Sequence, residues 1–339
     1  MANKTVLSNK NILLFSPSFF SYENLIKDAF ERVGATVFLY DERSINKQFS
    51  KALLKIAPCL FNGKTYKYYK RIVLENINKR IDYILIIRCD MVTTRVLSLL
   101  KRSFPNAKLC LHLWDSLKNI KGIKKKLFYF DYISSFDLED CKTNSSFHFR
   151  PLFYSKDFVD KTLSVEYDLC FCGTIHSDRF YILKSLVDQA AKNNLSSYVF
   201  AYLPGHFMFL YYKLFGKGFK LAKKSFFSYN KKTILEISQI EKSSNVIIDI
   251  QHPKQTGLTM RTIEMIGANK KFITTNKNIV NYDFYNPNNI LIIDRKKPIL
   301  DLGFFKKQYD PLPKHILAKY SIDQWVFDVV GEKRDGTLS

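Results

Sequence analysis

Three groups of residues combine side-chain type and spacing in ways that could support chemistry. The first is Lys254, Gln255, Thr256, Gly257, Leu258 and Thr259, with Arg261 and Glu264 just beyond. Residues 246–250 (VIIDI) are a β-branched run of the kind that fills a buried parallel strand. From Leu258 the apolar residues Ile263, Met265 and Ile266 recur among good helix formers. The polar loop between the two delivers Thr256 and Gly257 to a helix N-terminus, where free backbone N–H groups and the positive dipole end attract phosphate. Gly257 lets a ligand come close to the backbone. Glu264 can accept hydrogen bonds from a ribose, and Arg261 lies one turn before it on the same face. The same residues also fit an ordinary buried βαβ unit carrying an Arg261–Glu264 surface pair.

The second group is Gly173 and Thr174, followed by Ser177, Asp178 and Arg179. Here too a glycine, a hydroxyl and a cation gather where a strand (residues 167–172) meets a helix, which suits phosphate. Two such corners in one half of the chain suit a diphosphate better than either does alone. The third group is acidic. Asp90 follows the strand-like run 83–87 and Asp115 follows 108–113. A carboxylate at such a strand end is placed to take a proton from a hydroxyl nucleophile, with Asp115 the first choice and Asp90 the second. A helix cap or a partner for nearby lysines accounts for either equally well. His112 alternates just before its loop and reads as a core or surface histidine. His206, after Leu203-Pro204-Gly205, reads as either a loop histidine or a neighbour of a bound base.

These groups need elements to hold them. Residues 11–15, a helix over 22–33 closed by Gly34, and residues 35–40 form a β-α-β opening. No G-x-G-x-x-G accompanies it. Ser16 to Ser21 then fall at a strand's carboxyl end, where open α/β sheets put their ligands. Residues 47–80 are basic and helical in pattern, residues 131–137 give a further strand, and the boundary between halves falls between Pro151 and Glu166. Strands at 167–172, 198–202, 246–250, 272–275 and 289–294 build a second half, and 312–330 reads as helices returning to the first. The organisation expected is residues 1–155, residues 156–311, closing helices over 312–331 and a loose tail over 332–339.

The 339 residues carry a net charge of +22, with 46% apolar and 15% aromatic side chains. That composition supports a packed interior and excludes a disordered chain. The charge calls for nucleic acid, an anionic membrane or phosphate-bearing ligands. Seven lysines fall in the segment from Phe207 to Lys232, which lies in a stretch without acidic residues between Asp188 and Glu236. As a helix, Phe207, Leu210, Tyr211, Leu214 and Leu221 share one side and Lys213, Lys217, Lys220 and Lys224 the other. That is the pattern either of a segment lying on an anionic membrane or of a core-facing helix with solvated lysines. Gly216 and Gly218 weaken it. The six cysteines, Cys59, Cys89, Cys110, Cys141, Cys170 and Cys172, read as small core residues of a reducing compartment. No signal-like N-terminus or run of about 20 apolar residues occurs, so a cytoplasmic protein, peripheral on the inner face of the cell membrane, is expected.

The string from Thr256 to Glu264 resembles the donor-binding segment of GT-B-fold glycosyltransferases, in which a glycine-containing loop opens a helix and a glutamate holds the donor ribose. Glu264 matches that glutamate and Gly257 the loop glycine. Thr256 departs from the pattern, standing where many retaining members carry an acid. Cys172 to Arg179 and Leu113-Trp114-Asp115-Ser116 are similar to bacterial enzymes that build capsule, lipopolysaccharide O-antigen or exopolysaccharide. The resemblance spans residues 80–295 with gaps.

It implies an α/β chain of GT-B architecture, two Rossmann-like parallel-sheet domains facing an interdomain cleft. It further implies a nucleotide sugar, UDP-linked, held by Gly173, Thr174, Arg179, His206, Lys254, Gln255, Thr256, Gly257, Leu258, Thr259, Arg261 and Glu264. Asp115 or Asp90 would deprotonate a lipid-linked or oligosaccharide acceptor. No cofactor or metal is expected, since no Asp-x-Asp occurs, and inversion is favoured by the missing acid at Thr256. The rival class is a non-catalytic, basic nucleic-acid-binding protein. Against it, the charge is spread along the whole chain and no nucleic-acid motif is present, so nucleic acid is not expected as a partner.

Overall fold

The computed structural model describes residues 5–18, 21–43, 62–159, 163–216 and 218–334. The chain divides into two compact units, Met1–Pro151 with Ile322–Ser339, and Leu152–Ser321.

The first unit contains β1 (Asn11–Ser16), α1 (Tyr22–Arg32), β2 (Thr36–Asp41), α2 (Asn62–Asn76), β3 (Tyr83–Ile87), α3 (Thr94–Ser103), β4 (Lys108–Leu113), β5 (Tyr132–Ser135), α4 (Leu138–Thr143) and β6 (His148–Phe149). Its sheet runs β2-β1-β3-β4-β5-β6 with every pair parallel. All five residues of β3 are buried, as a strand covered on both faces requires. α1 buries Tyr22, Ile26, Ala29 and Phe30, one stripe at helical spacing, and Gly34 leaves the helix at φ 91, a conformation glycine adopts without strain. The sequence pattern contains no counterpart of α3, whose buried stripe of Val96, Leu97 and Leu100 is short. Of the basic stretch 47–80, residues 62–76 are α2, while 47–61 lie outside the described residues, as does Cys59.

The second unit contains β7 (Tyr167–Thr174), α5 (Arg179–Lys192), β8 (Ser197–Tyr202), α6 (His206–Phe215), β9 (Phe227–Ser228), α7 (Ile234–Lys242), β10 (Ser244–Asp249), α8 (Met260–Gly267), β11 (Lys271–Thr274), β12 (Ile290–Ile292), α9 (Leu302–Lys306) and α10 (Lys314–Tyr320). The sheet order is β12-β11-β10-β7-β8-β9, again all parallel. Counted from its own first strand this is the doubly wound order, and it reverses between β7 and β10. The closing helix α11 (Ile322–Asp328) belongs to the first unit. There Arg32 pairs with Asp323 at 2.6 Å and Trp325 is fully buried.

The basic segment after β8 departs from its expected form. The helix stops at Phe215, and the chain continues as short 3-10 turns at Phe219–Leu221 and Lys224–Phe226. Gly216 and Gly218, the latter at φ 77, break it. The described cysteines carry no disulfide. Cys89, Cys110, Cys170 and Cys172 are buried, and Cys170 and Cys172 point to one face with their sulfurs 3.8 Å apart.

One glycine fixes how α8 sits. An added Cβ at Gly267 would fall 2.3 Å from the Tyr154 ring, whose hydroxyl donates to the Leu317 carbonyl at 2.9 Å. Gly267→Ala is expected to lower stability by about 1–3 kcal/mol, the usual cost of overpacking a core. A melting temperature equal to the wild type's would show that this contact does not hold α8 in place.

Candidate functional site

In the second unit both phosphate-suited corners arise at the reversal of strand order. β7 ends in Gly173 and Thr174, and Arg179 is the first residue of the helix that follows. β10 ends at Asp249, and residues 250–259 lead into α8, whose N-cap Thr259 accepts from the Thr262 N–H at 3.1 Å. Because β7 and β10 pair directly, the two corners are neighbours. Arg179 spans them: its Nε donates to the Ile250 carbonyl at 2.5 Å and its Nη1 to the Thr174 carbonyl at 2.7 Å. The rings of His176 and His252, one from each loop, lie 5.4 Å apart.

Electrostatically the corner is cationic. Burial first, then Arg179, His252 and Arg295, push His176 down to about 3, so it is neutral at pH 7. Burial lowers Arg179 to about 10, with Asp249 opposing and Arg261 and Arg295 contributing, and it stays charged at neutral pH.

The ion pair of Arg261 reaches beyond its own helix. Its partner is the buried Glu241 on α7, at 2.7 Å, and burial pushes that carboxyl up while Arg261 pulls against it. Glu264 lies on α8, 3% exposed, close enough to Glu241 to add to that rise. Of the loop residues, Lys254 is exposed, Gln255 and Thr256 are half-buried, and Gly257 and Leu258 are buried. His206 opens α6 after β8 and packs on Tyr229, ring centroids 4.0 Å apart.

Several residues of this corner escape the sequence motifs. Asp249, 2% exposed, accepts from the hydroxyls of Thr259 and Thr262 and so ties the strand end to the start of α8. Asn276 donates from Nδ2 to the carbonyls of Thr256 and Gly257 at 3.2 and 3.3 Å, which shapes the loop from below. Arg295 reaches from beyond β12 to Asp178 at 2.8 Å and to the Thr275 hydroxyl at 3.3 Å. Together Gln251, Gln255, Thr256, Thr275, Asn276 and Arg295 help to line a cavity of about 460 Å³ along the carboxyl ends of β10, β11 and β12. That volume is within the range of small-molecule sites, ~300–1,000 Å³. The one available signal was position: Arg295 follows a strand-like run, as Asp90 and Asp115 do.

In the first unit the strand order reverses between β1 and β3, and the acidic candidates gather beside that point. Asp90 pairs with Arg88 at 2.7 Å and Asp115 pairs with the same guanidinium at 3.4 Å. One arginine therefore brings both predicted carboxylates together. The turn that presents it is unusual, since Arg88 and Cys89 both have positive φ, 80 and 64. Lys126 braces that turn by donating to the Cys89 carbonyl at 2.9 Å. Glu42, which the motifs do not single out, is fully buried beside Asp90 and accepts from the Met91 N–H at 2.6 Å. Burial first, and Asp90 second, push its carboxyl up to about 7. His112 is a core residue, fully buried, with Nδ1 2.9 Å from the Ser134 hydroxyl and its ring edge-on to Trp325 at 5.0 Å.

No protein-family model matches this sequence, and no curated protein matches it. Solved structures do. The Anabaena protein HepE in complex with UDP-glucose has a TM-score of 0.62 at 9% identity, over 95% of this chain and 98% of its own. A glycosyltransferase from Rickettsia africae gives 0.58 at 12% identity, over 94% and 96% of the two chains. Sucrose-phosphate synthase from Thermosynechococcus elongatus gives 0.56 at 9% identity, over 95% and 94%. The chain thus has the GT-B fold, two Rossmann-like units each built on a six-stranded parallel sheet.

Glu42 yields a pH test. Its carboxyl rises from 4.5 to about 7 in the folded chain, so its neutral form is the one the fold favours. That stability is complete below pH 4.5, declines as the pH rises and is lost above about 7. Glu42→Gln, which keeps the neutral shape, should stay more stable than the wild type at pH 8 by about 3 kcal/mol and converge with it at low pH. Parallel melting-temperature profiles across that window would rule the assignment out.

Proposed function

We propose that this chain is a glycosyltransferase moving a sugar from a nucleotide-diphosphate donor, a UDP-sugar, to a lipid-linked or oligosaccharide acceptor in bacterial surface-polysaccharide synthesis. The observation that carries the reading is the pair of helix N-termini at the β7–β10 reversal, bridged by Arg179. Two helix dipole ends and a guanidinium meet at the carboxyl edge of the sheet, the arrangement a diphosphate favours. The fold shared with HepE, whose structure holds UDP-glucose, supports the choice of donor.

On this reading Gly173, Thr174, Arg179, Lys254, Thr256, Gly257 and Thr259 hold the diphosphate, with Gln255 and Leu258 shaping the loop around it. Glu264 and Arg261 lie toward the ribose, and His206 toward the base. Asp115 or Asp90 takes the proton of the acceptor hydroxyl as the anomeric carbon–oxygen bond to the diphosphate breaks, with inversion at that carbon. Charge on the leaving diphosphate is met by the helix ends and Arg179, so no metal is required. Arg88 keeps both candidate bases in one place. The enzyme works in the cytoplasm, at the inner face of the membrane where a lipid-linked acceptor resides.

Calorimetric titration with UDP, GDP, CMP and TDP tests this. One nucleotide should bind, and Gly257→Trp, which fills the approach to the backbone, should weaken it at least about ten-fold, as should Glu264→Gln. Absence of binding for all four, with the wild type folded, would sink the donor assignment.

A further inference from the structure

α6 is apolar on both sides. Met208, Phe209 and Tyr212 pack inward on the core of the second unit. Phe207, Leu210, Tyr211, Leu214 and Phe215 face outward, 77, 56, 47, 67 and 74% exposed. Their spacing is i, i+3, i+4, i+7, i+8, a single stripe along the helix. The sequence pattern allowed this stripe to be core. The structure turns it to the outside and uses the intervening apolar residues for the core instead. A helix that is hydrophobic all round is normally covered all round, and a contiguous aromatic and leucine face of this kind marks an interaction surface.

The surroundings of the stripe say what covers it. Lys220, Lys223 and Lys224 are exposed in the turns that follow α6, Lys231 is exposed just after β9, and no acidic residue occurs between Asp188 and Glu236. We propose that α6 is a membrane-docking element: it lies in the interface of an anionic phospholipid bilayer, its outer stripe among the acyl chains and the flanking lysines among the headgroups. An interfacial helix buries its apolar face about 5–10 Å deep, and each lysine held near an anionic surface adds attraction that salt weakens. A second copy of the chain is a poorer occupant, because self-association through this face would bring like charges together. Nucleic acid is poorer too, because Leu210 and Leu214 interrupt the aromatic residues on which successive bases would stack. The inference goes beyond the transferase reading and rests on α6 and its flanks alone.

The test is co-sedimentation of the full chain with vesicles of phosphatidylglycerol in phosphatidylcholine and with phosphatidylcholine alone. Expected is binding to the first that weakens with added salt, and little binding to the second. A Phe207→Ser/Leu214→Ser/Phe215→Ser variant should lose it. Separately, a Lys220→Glu/Lys223→Glu/Lys224→Glu variant should bind at least about ten-fold more weakly. Both variants change exposed residues, so melting temperature and nucleotide titration should match the wild type, which separates loss of docking from failure of the donor site. The proposal is overturned if the wild type ignores anionic vesicles, or if the serine variant binds them equally well. A wild-type dimer that the serine variant dissociates would also overturn it, as would RNA binding without vesicle binding.

Discussion

The second unit's offer to a ligand depends on β7 and β10 lying side by side in parallel. Parallel pairing puts both carboxyl ends at one edge of the sheet, and reversal of strand order sends the following chain segments to different sides. What remains between them is a notch into which two helices point their N-termini. Closing that notch around bare cations is costly, because buried charge requires partners. Arg179 finds backbone carbonyls on both sides, Arg261 finds Glu241, and Arg295 finds Asp178. The corner's cations are matched well enough to fold, and burial together with their charge keeps His176 neutral.

The first unit applies the same constraint with acids in place of cations. Its reversal falls between β1 and β3, and the chain leaves β3 through two consecutive left-handed residues, Arg88 and Cys89. Each such residue costs on the order of 1–2 kcal/mol, and strain of this kind persists where surrounding contacts impose it. Those contacts are present: the Arg88 N–H donates to the His112 carbonyl at 2.9 Å, and Lys126 takes the Cys89 carbonyl. The effect is to aim Arg88 at Asp90 and Asp115 together, with the buried Glu42, its carboxyl raised to about 7, packed behind. The first unit thus presents an acidic corner at its reversal and the second a basic one.

α6 shows how one sequence pattern serves two packings. Residues at 207, 210, 211 and 214 have the spacing of a buried stripe, and so do 208, 209 and 212 taken with the turns that follow. Periodicity marks the stripe and leaves open which side meets the core, because that depends on where β8 and β9 place the helix.

The sequence by itself determined the strands and their two-fold grouping. β3 and β4 match their apolar runs residue for residue, and β1, β7, β8, β10 and β11 lie within two residues, because buried parallel strands require uninterrupted β-branched and aromatic runs that little else produces. It also determined that glycine, hydroxyl and cation stand at two strand–helix junctions, since those residue types cluster there for local backbone reasons. The short strands β6 and β9 and helix α3 carried too little periodic signal to be read. The tertiary structure alone decided the partners: that Arg261 pairs with Glu241, that Arg88 joins Asp90 to Asp115, that Asp249 and Arg295 belong to the same corner, and that α6 faces outward. Each of these links residues distant in sequence, and a pattern read over one or two helical turns contains no information about which distant side chain the sheet order will bring alongside.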